Sequence, residues 1–301
     1  LGCEIANLGD ILDGAPGDSL SIQTSGGTPA TVAECIRLIE ARLPQANAVE
    51  REPVPLRELK LAMQCGGSDG HSGISCNPAL GYACDLLVQH GGTAILSETT
   101  ETYGAEHVLT ARASTPEVGQ KLVDCIKWWE DFVAGRGLVI NNNPSPGNKA
   151  GGLTTIIEKS LGSIAKGGTT NLNEVYGYAE EVEAGKGLVF MNAPAFDPVG
   201  ATAQVAGGAN VMVFTTGRGS AFGCKPAPSI KLIDNTPMYQ KMPDDMDINA
   251  GTILDGVETV EECGQRIFER IIAVASGERT KSELLGYGEE EFCPWDLGIM
   301  L

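Results

Sequence analysis

Short, unbroken apolar runs alternate along this chain with longer stretches in which apolar residues recur every three or four positions. The runs fall at residues 59–63, 93–96, 187–191, 210–214 and 229–232. Runs of that length without polar alternation predict strands buried on both faces. In the intervening stretches, Val32, Cys35, Ile36, Ile39 and Leu43 share one helical face and predict a helix over residues 31–43, capped by Thr28 or Thr31. Asn77 as N-cap with Pro78 at the first helical position predicts a helix to about residue 90. Further helices are predicted over 103–113, 116–134, 153–161, 198–206 and 257–276, with a Pro/Gly/Asn loop at 141–152. Strands alternating with helices predict an α/β fold, a Rossmann-like, mostly parallel sheet with helices on both faces. No solenoid repeat is present. A change of texture over 44–57 sets the expected boundary, with residues 58–301 forming the main domain.

Composition narrows the function. The chain has 301 residues, 39 acidic and 21 basic, for a formal charge of −18. That balance argues against a nucleic-acid or anionic-membrane surface, which needs clustered Lys and Arg. It leaves room for a small acidic substrate, since a few local cations suffice to hold a carboxylate. No run reaches the roughly 20 apolar residues that span a bilayer, and the start lacks a secretory pattern. Nine cysteines, with no Cys-x-x-Cys pair, predict reduced thiols in a cytoplasmic protein. Cys3, Cys35, Cys84, Cys125 and Cys263 sit on apolar faces and are expected in the core. The opening Leu1-Gly2-Cys3-Glu4 resembles the end of a buried strand, so upstream sequence is expected.

Candidate chemistry gathers where the strands end. Ligands of open α/β sheets bind outside the carboxyl ends of the strands, so Cys65, Asp69, Glu98, Glu101, Asp197 and Arg218 are expected to converge despite their separation in sequence. Cys65 is either a soft metal ligand beside carboxylates or a core thiol at a strand end. Gly66-Gly67-Ser68-Asp69-Gly70 has the Gly-x-Ser-x-Gly form of a nucleophile elbow, but the next helix starts too late, near Pro78, for a strand-to-helix elbow. Gly217-x-Gly219 is followed by Lys225-Pro226-Ala227-Pro228, where a dinucleotide site would need a helix N-terminus. Lys149, alone among Asn and Pro, is read as a substrate-carboxylate anchor, a base, or a surface lysine; Glu158 follows on the next helix. His107 is either catalytic or structural, His90 a helix C-terminal cation, and His71 a ligand or a turn residue. Glu180–Glu183 and Glu289–Glu291 are solvated charge runs.

Taken together, these loops resemble the altronate/galactarate dehydratase family of sugar-acid lyases. The resemblance rests on Gln64-Cys-Gly-Gly-Ser-Asp-Gly70, Ser72-Gly-Ile74 with Asn77-Pro-Ala-Leu-Gly81, and Gly91-Gly-Thr-Ala-Ile-Leu-Ser-Glu98. It continues through Asn143-Pro-Ser-Pro-Gly-Asn-Lys-Ala-Gly-Gly-Leu-Thr-Thr155, Gln204-Val-Ala-Gly-Gly-Ala-Asn210, Phe214-Thr-Thr-Gly-Arg-Gly-Ser220 and Asp245-Met-Asp-Ile-Asn249. Asn143-Pro-Ser-Pro, Tyr103-Gly-Ala-Glu-His107 and Phe222-Gly-Cys-Lys-Pro226 are altronate-like forms, whereas His71 stands where relatives are expected to carry Tyr or Phe. The resemblance implies that residues 1–57 are the remainder of a small α/β dimerisation domain, that the protein is a homodimer, and that a β-rich N-terminal domain is missing. It also implies β-elimination of water: a base removes the proton α to the carboxylate, and an acid protonates the leaving 3-hydroxyl. The expected conversion is D-altronate to 2-dehydro-3-deoxy-D-gluconate, with galactarate or sulfolactate as alternative substrates, or a fragment that binds sugar acid without turnover. The implied cofactor is Fe²⁺ or Mn²⁺. Expected ligands are Cys65, Asp69, Glu98 and Glu101; expected catalytic residues are Lys149, Glu158, Arg218 and His107; and Ser68, Asn148 and Lys225 are expected to bind substrate.

Overall fold

The computed structural model describes residues 17–141, 143–289 and 291–295. It divides into two compact units, Leu1–Pro53 and Val54–Leu301. In the first, helix α1 (Thr28–Asn47) starts earlier than its apolar pattern, at Pro29 in the first turn, and runs on through Pro44. Its stripe Val32, Ile36, Ile39 and Leu43 is exposed. The strand end expected at residues 1–4, with Cys3, lies outside the described residues.

The second unit is built on seven parallel strands: β1 (Lys60–Cys65), β2 (Thr93–Leu96), β3 (Leu172–Tyr176), β4 (Gly187–Met191), β5 (Val211–Thr216), β6 (Ser229–Ile233) and β7 (Ile248–Asn249). Their order is β3-β4-β2-β1-β5-β6-β7. The strands read as continuous apolar runs because each side of the sheet is covered. Leu61, Met63, Leu96, Phe190 and Val213 face α2 (Cys76–Gln89) and α9 (Val260–Ala275). Ala62, Ile95, Val189, Met212 and Phe214 point the other way, toward Ala201 and Ala203 of α7 (Asp197–Ala206) and toward Phe222. The expected fold class is therefore the observed one.

Departures from the expected elements are local. The helix expected over 103–113 shrinks to α3 (His107–Thr110), because Gly104 takes a left-handed turn with φ 80° just before it. Helix α4 (Pro116–Ala134) matches, with the Thr115 hydroxyl accepting from the Val118 N–H as its N-cap. The loop at 141–152 holds a short helix α5 (Pro146–Ala150), and α6 (Ile156–Ile164) follows, capped by Thr155. Strands β3 and β7 and helices α8 (Thr236–Lys241) and α10 (Lys281–Leu285) carry no strong periodicity and escape the sequence reading. Among the expected core thiols, Cys84 and Cys263 are buried, Cys125 is half-buried, and Cys35 is exposed. Among the described residues no helix is long and apolar enough to cross a membrane.

Connectivity fixes where a ligand goes. From β1 the chain builds outward through β2, then fills β3 and β4 on that same side, and crosses to β5 on the other side of β1. Loops leaving β1 and β5 therefore diverge and open a crevice at the carboxyl edge, the switch point of a doubly wound sheet. Cys65 ends β1 in register with Thr215 of β5.

Candidate active site

Three of the four expected metal ligands meet at this crevice. The Cys65 thiol lies 3.1 Å from Glu101 Oε2 and 3.5 Å from Glu98 Oε2, and the Cys65 N–H donates to Glu98 Oε2 at 3.3 Å. Glu98 sits at the end of β2 in a left-handed conformation (φ 69°, ψ 67°), which costs a non-glycine residue on the order of 1–3 kcal/mol. The strain turns its side chain back under β1. A 3-10 turn, Thr99–Glu101, then brings Glu101 to the same place.

Two buried cations balance these acids. Lys166 Nζ donates to Glu98 Oε2 at 2.9 Å, both side chains being fully inaccessible. Lys159 donates to Glu101 Oε1, which also accepts from Asn143 Nδ2 at 2.8 Å. Burial and the neighbouring Glu101 charge push the Glu98 carboxyl up to about 7. Burial opposes the charge on Glu101, but Lys159 and Lys166 outweigh it and hold its pKa low. Burial likewise opposes the two ammoniums, and the surrounding acids more than offset it, raising both lysines. The Cys65 thiol is pushed far up by burial and by Glu101 and Glu98.

Neither lysine stands out in the sequence reading, yet a signal was there. They are seven residues apart, two helical turns, in a segment whose other buried helical positions are Ser160, Ser163 and Ile164. Lys159 projects from α6 and Lys166 from the 3-10 turn Ala165–Gly167 that continues it.

The ligand atoms of Cys65, Glu98 and Glu101 lie within 4.8 Å of one another, and buried Glu98 Oε1 has no hydrogen-bond partner. A thiol with two carboxylates, one of them keeping a free oxygen, is a donor set that fits a divalent transition-metal ion.

Asp69 is not part of this set. Gly67 O accepts from the N–H groups of Gly217 and Arg218, at 3.1 Å each, which carries the turn after β1 across to the β5–β6 side. Asp69 there joins His71 and Asp234 in a second group whose ligand atoms also lie within 4.8 Å. The Asp69 and Asp234 carboxyls converge over Gly217, where a Cβ would lie 2.4 Å from Asp69 Cγ and 2.8 Å from Asp234 Oδ2. Burial, then the hydrogen bond and charge of Asp69, raise Asp234 to about 8, so Asp234 keeps a proton near neutrality. Asp234, one residue beyond β6, is legible only once the end of that strand is known.

A cavity of about 880 Å³ opens onto the first cluster, lined by Cys65, Glu101, Lys159, Asp197, Arg218 and, on an apolar side, Trp129 and Val139 among others. A smaller one of about 230 Å³ shares Cys65, Glu101 and Lys159 and adds Ser68, Asp69 and Glu158.

The remaining expected site residues separate. Arg218 lines the larger cavity and donates to Gly147 O at 2.8 Å. Asn148 is buried there, its Nδ2 donating to Ser68 O at 2.7 Å, and Ser68 itself lines the smaller cavity. That inward turn of Asn148 sends its neighbour Lys149 outward on α5, exposed and lining neither cavity. The lysines that stand beside the buried acids are instead Lys159 and Lys166. Exposed Glu158, in the first turn of α6, accepts from the Thr154 hydroxyl and, at 2.8 Å, from the Thr154 N–H, which hold its pKa low. His107 is exposed at the start of α3, and Lys225 pairs with Glu289 at the surface. Neither lines the two cavities.

The fold and site together define an open α/β protein with a small-molecule site of buried acids, ammoniums and a thiol at its switch point. Residues 56–300 match the family described as D-galactarate/altronate dehydratase, C-terminal, and the chain belongs to that family. It is 42% identical over 290 residues to galactarate dehydratase (L-threo-forming) of Escherichia coli K12, covering 93% of this chain and 55% of that protein. It is 40% identical over 238 residues to altronate dehydratase of Bacillus subtilis 168, covering 79% of this chain and 48% of that one. The (2R)-sulfolactate sulfo-lyase subunit beta of Chromohalobacter salexigens is 30% identical over 296 residues, 96% of this chain and 76% of that subunit. The chain thus spans about half the length of the dehydratases it matches.

Proposed function

We propose that this chain is the catalytic region of a hydro-lyase that eliminates water from a hexose-derived sugar acid and works with Fe²⁺ or Mn²⁺. The observation that carries this reading is the pairing of two buried lysines with two buried glutamates beside Cys65, open to a cavity that also holds Arg218. Elimination α,β to a carboxylate needs cations to meet the carboxylate and the negative charge that spreads onto it as the α-proton leaves. Lys159 and Arg218 lie on the cavity wall where they meet that carboxylate, and Arg218 can do so with two parallel N–H bonds. Cys65, Glu98 and Glu101 would hold the metal, which supplies Lewis-acid polarisation of bound oxygen. The apolar wall around Trp129 and Val139 limits water around the carbon chain.

Altronate is the favoured substrate from the altronate-like runs at Asn143–Ser145 and Phe222–Pro226, and galactarate is the direct competitor. Anaerobic incubation with Fe²⁺ or Mn²⁺ and each acid in turn, followed by assay of 2-keto-3-deoxy acid, tests both. A second reading, sulfite elimination from sulfolactate, draws on the long match to the sulfo-lyase subunit. Release of sulfite without any keto-deoxy acid establishes it and removes the first. A homodimer is also proposed, supported by the exposed apolar stripe of α1, and light scattering reads it directly.

A further inference from the structure

Every β-elimination of this kind needs a base beside the α-carbon, and most of the ionisable groups on the larger cavity are committed elsewhere. Lys159 is ion-paired with Glu101, and an ammonium has no lone pair to accept a proton. Glu101 in turn accepts from Lys159 and Asn143 at the same oxygen. The Arg218 guanidinium carries donors only and has no lone pair free to take a proton. Asp197 is left, and its surroundings are specific.

Asp197 opens α7 directly after the β4 loop, so its carboxylate sits in the first turn, where free N–H groups favour an anion. It lines the same cavity as Lys159 and Arg218. Room for it comes from Gly66, where a Cβ would lie 2.1 Å from Asp197 Oδ2. A buried chain of amides reaches it from behind. The Met63 N–H donates to Gln204 Oε1 at 2.9 Å, and Gln204 Nε2 donates to Gln64 Oε1 at 3.0 Å. With its oxygen so engaged, Gln64 can offer only its Nε2, which is fully buried and has no hydrogen-bond partner. Gln64 acts on Asp197 in the direction of a donor to the ionised form. The anchored backbone N–H thus fixes which end of the Gln64 amide faces the carboxylate.

We propose that Asp197 is the base that removes the proton α to the substrate carboxylate, with Gln64 and Gln204 as the positioning residues that hold it. This rests on the dehydratase reading above. In the step, an Asp197 oxygen takes the proton from C2, and the C2–H electron pair becomes the C2–C3 double bond. The C3–O bond breaks, and the hydroxyl leaves as water with a proton from the Lys159 ammonium. Proton exchange with solvent then returns Asp197 and Lys159 to their starting states, and the enol tautomerises to the keto acid. Asp197 is basic enough to act in this way, since burial, then the charge of Glu101, raise it to about 6, while Lys159, Lys166 and Gln64 pull it down. It is mostly ionised at neutral pH yet far more basic than an ordinary aspartate.

The test uses the Mn²⁺-loaded chain in D₂O with the sugar acid it turns over and with the 3-deoxy-3-fluoro analogue, whose fluoride leaves without a proton. Three rates are followed by NMR: exchange of the C2 hydrogen, loss of water, and release of fluoride. Asp197→Asn is expected to lower all three by about 10³-fold, within the usual range for a general base. Asp197→Glu keeps a displaced carboxylate and should recover part of each, which separates a missing base from a damaged fold. Gln204→Leu is expected to lower kcat about tenfold at unchanged KM, the signature of a group acting through the base. Exchange that persists in Asp197→Asn overturns the proposal. So does fluoride release that survives while water loss fails, since that marks Asp197 as the acid. A wild-type chain that eliminates neither group removes the dehydratase reading and this role with it, whereas an active wild type with an equally active Asp197→Asn removes this role alone.

Discussion

The sharpest mechanical test of the site is one methyl group. Gly66 follows Cys65, and its φ is not in the left-handed region, so its backbone accepts alanine without strain. The added Cβ is a different matter. It would lie 2.1 Å from Asp197 Oδ2 and 2.6 Å from Phe214 Cζ. Phe214 is fully buried and stacked on Phe222 with ring centres 4.6 Å apart, so it yields little. The Asp197 carboxylate must therefore retreat by roughly 1 Å to reach ordinary contact. Misplacement on that scale costs about 10²-fold in rate, or about 2.7 kcal/mol of barrier. Overpacking itself costs stability on the order of 1–3 kcal/mol, which leaves the fold in place. Steady-state kinetics with the preferred sugar acid and thermal melting measure the two effects separately. Gly70→Ala is the control, because its Cβ meets its nearest neighbour, in Gly152, at an ordinary 3.5 Å. If Gly66→Ala keeps kcat within about threefold of wild type, or loses no more than Gly70→Ala does, the crowding argument is refuted along with the importance of where that carboxylate sits.

Other outcomes are expected. Cys65→Ser should leave the melting temperature within a few degrees of wild type but abolish the thiolate-to-Co²⁺ charge-transfer band of the cobalt-loaded protein; an unchanged band places the metal elsewhere. Arg218→Lys should raise KM by about tenfold with little change in kcat, because it removes bidentate anchoring but not charge; a fall in kcat alone contradicts an anchoring role. Asp234 has a folded-state pKa of about 8 against roughly 3.9 for a free aspartate. The folded chain therefore holds a proton that the unfolded chain has lost, and this contribution to stability fades as pH rises from about 4 to 8. Asp234→Asn lacks that slope, so urea titrations at pH 5 and 8 should show the variant gaining on wild type at the higher pH. Equal differences at the two values would count against a proton held on Asp234.

Much of the fold is legible because the strands and long helices bury whole faces. Residues 93–96, 116–134 and 187–191 coincide with β2, α4 and β4, and the strand-end logic points to the right sheet edge. Cys65, Glu98 and Glu101 follow from that logic alone, since β1 and β2 are adjacent. Errors enter where a side chain's direction depends on one residue of phase. Asn148 and Lys149 are neighbours on one helical turn, and the Ser145–Asn148 capping box sends the former in and the latter out. Asp69 and Cys65 are four residues apart, yet the hydrogen bonds of Gly67 O to Gly217 and Arg218 draw Asp69 toward β6. The Gly67 contacts are far apart in sequence, so no period or spacing could reveal them. Lys159 and Lys166 pass unnoticed for the opposite reason: a buried lysine has the same letter as a surface one, and only its seven-residue spacing on a Ser-rich face distinguishes it.

The acidic substrate proposed for this acidic chain is less paradoxical than the charge of −18 suggests. At physiological salt, exposed charges are screened beyond about 8 Å, so the surface acids act weakly on the cavity. Inside it the count is local. Glu98, Glu101 and Asp197 face Lys159 and Lys166, with Arg218 on the wall. A bound divalent ion with an ionised Cys65 would tip that balance toward the positive, and each interaction would be stronger there than at the surface because water is scarce. The same buried pairs tie Lys159 on α6 and Lys166 on the turn that continues it to the acids. Removing Lys166 would strand a fully buried Glu98, at a cost of about 3–5 kcal/mol. The arrangement that holds the acids in the interior is therefore the one that readies the cavity for an anion.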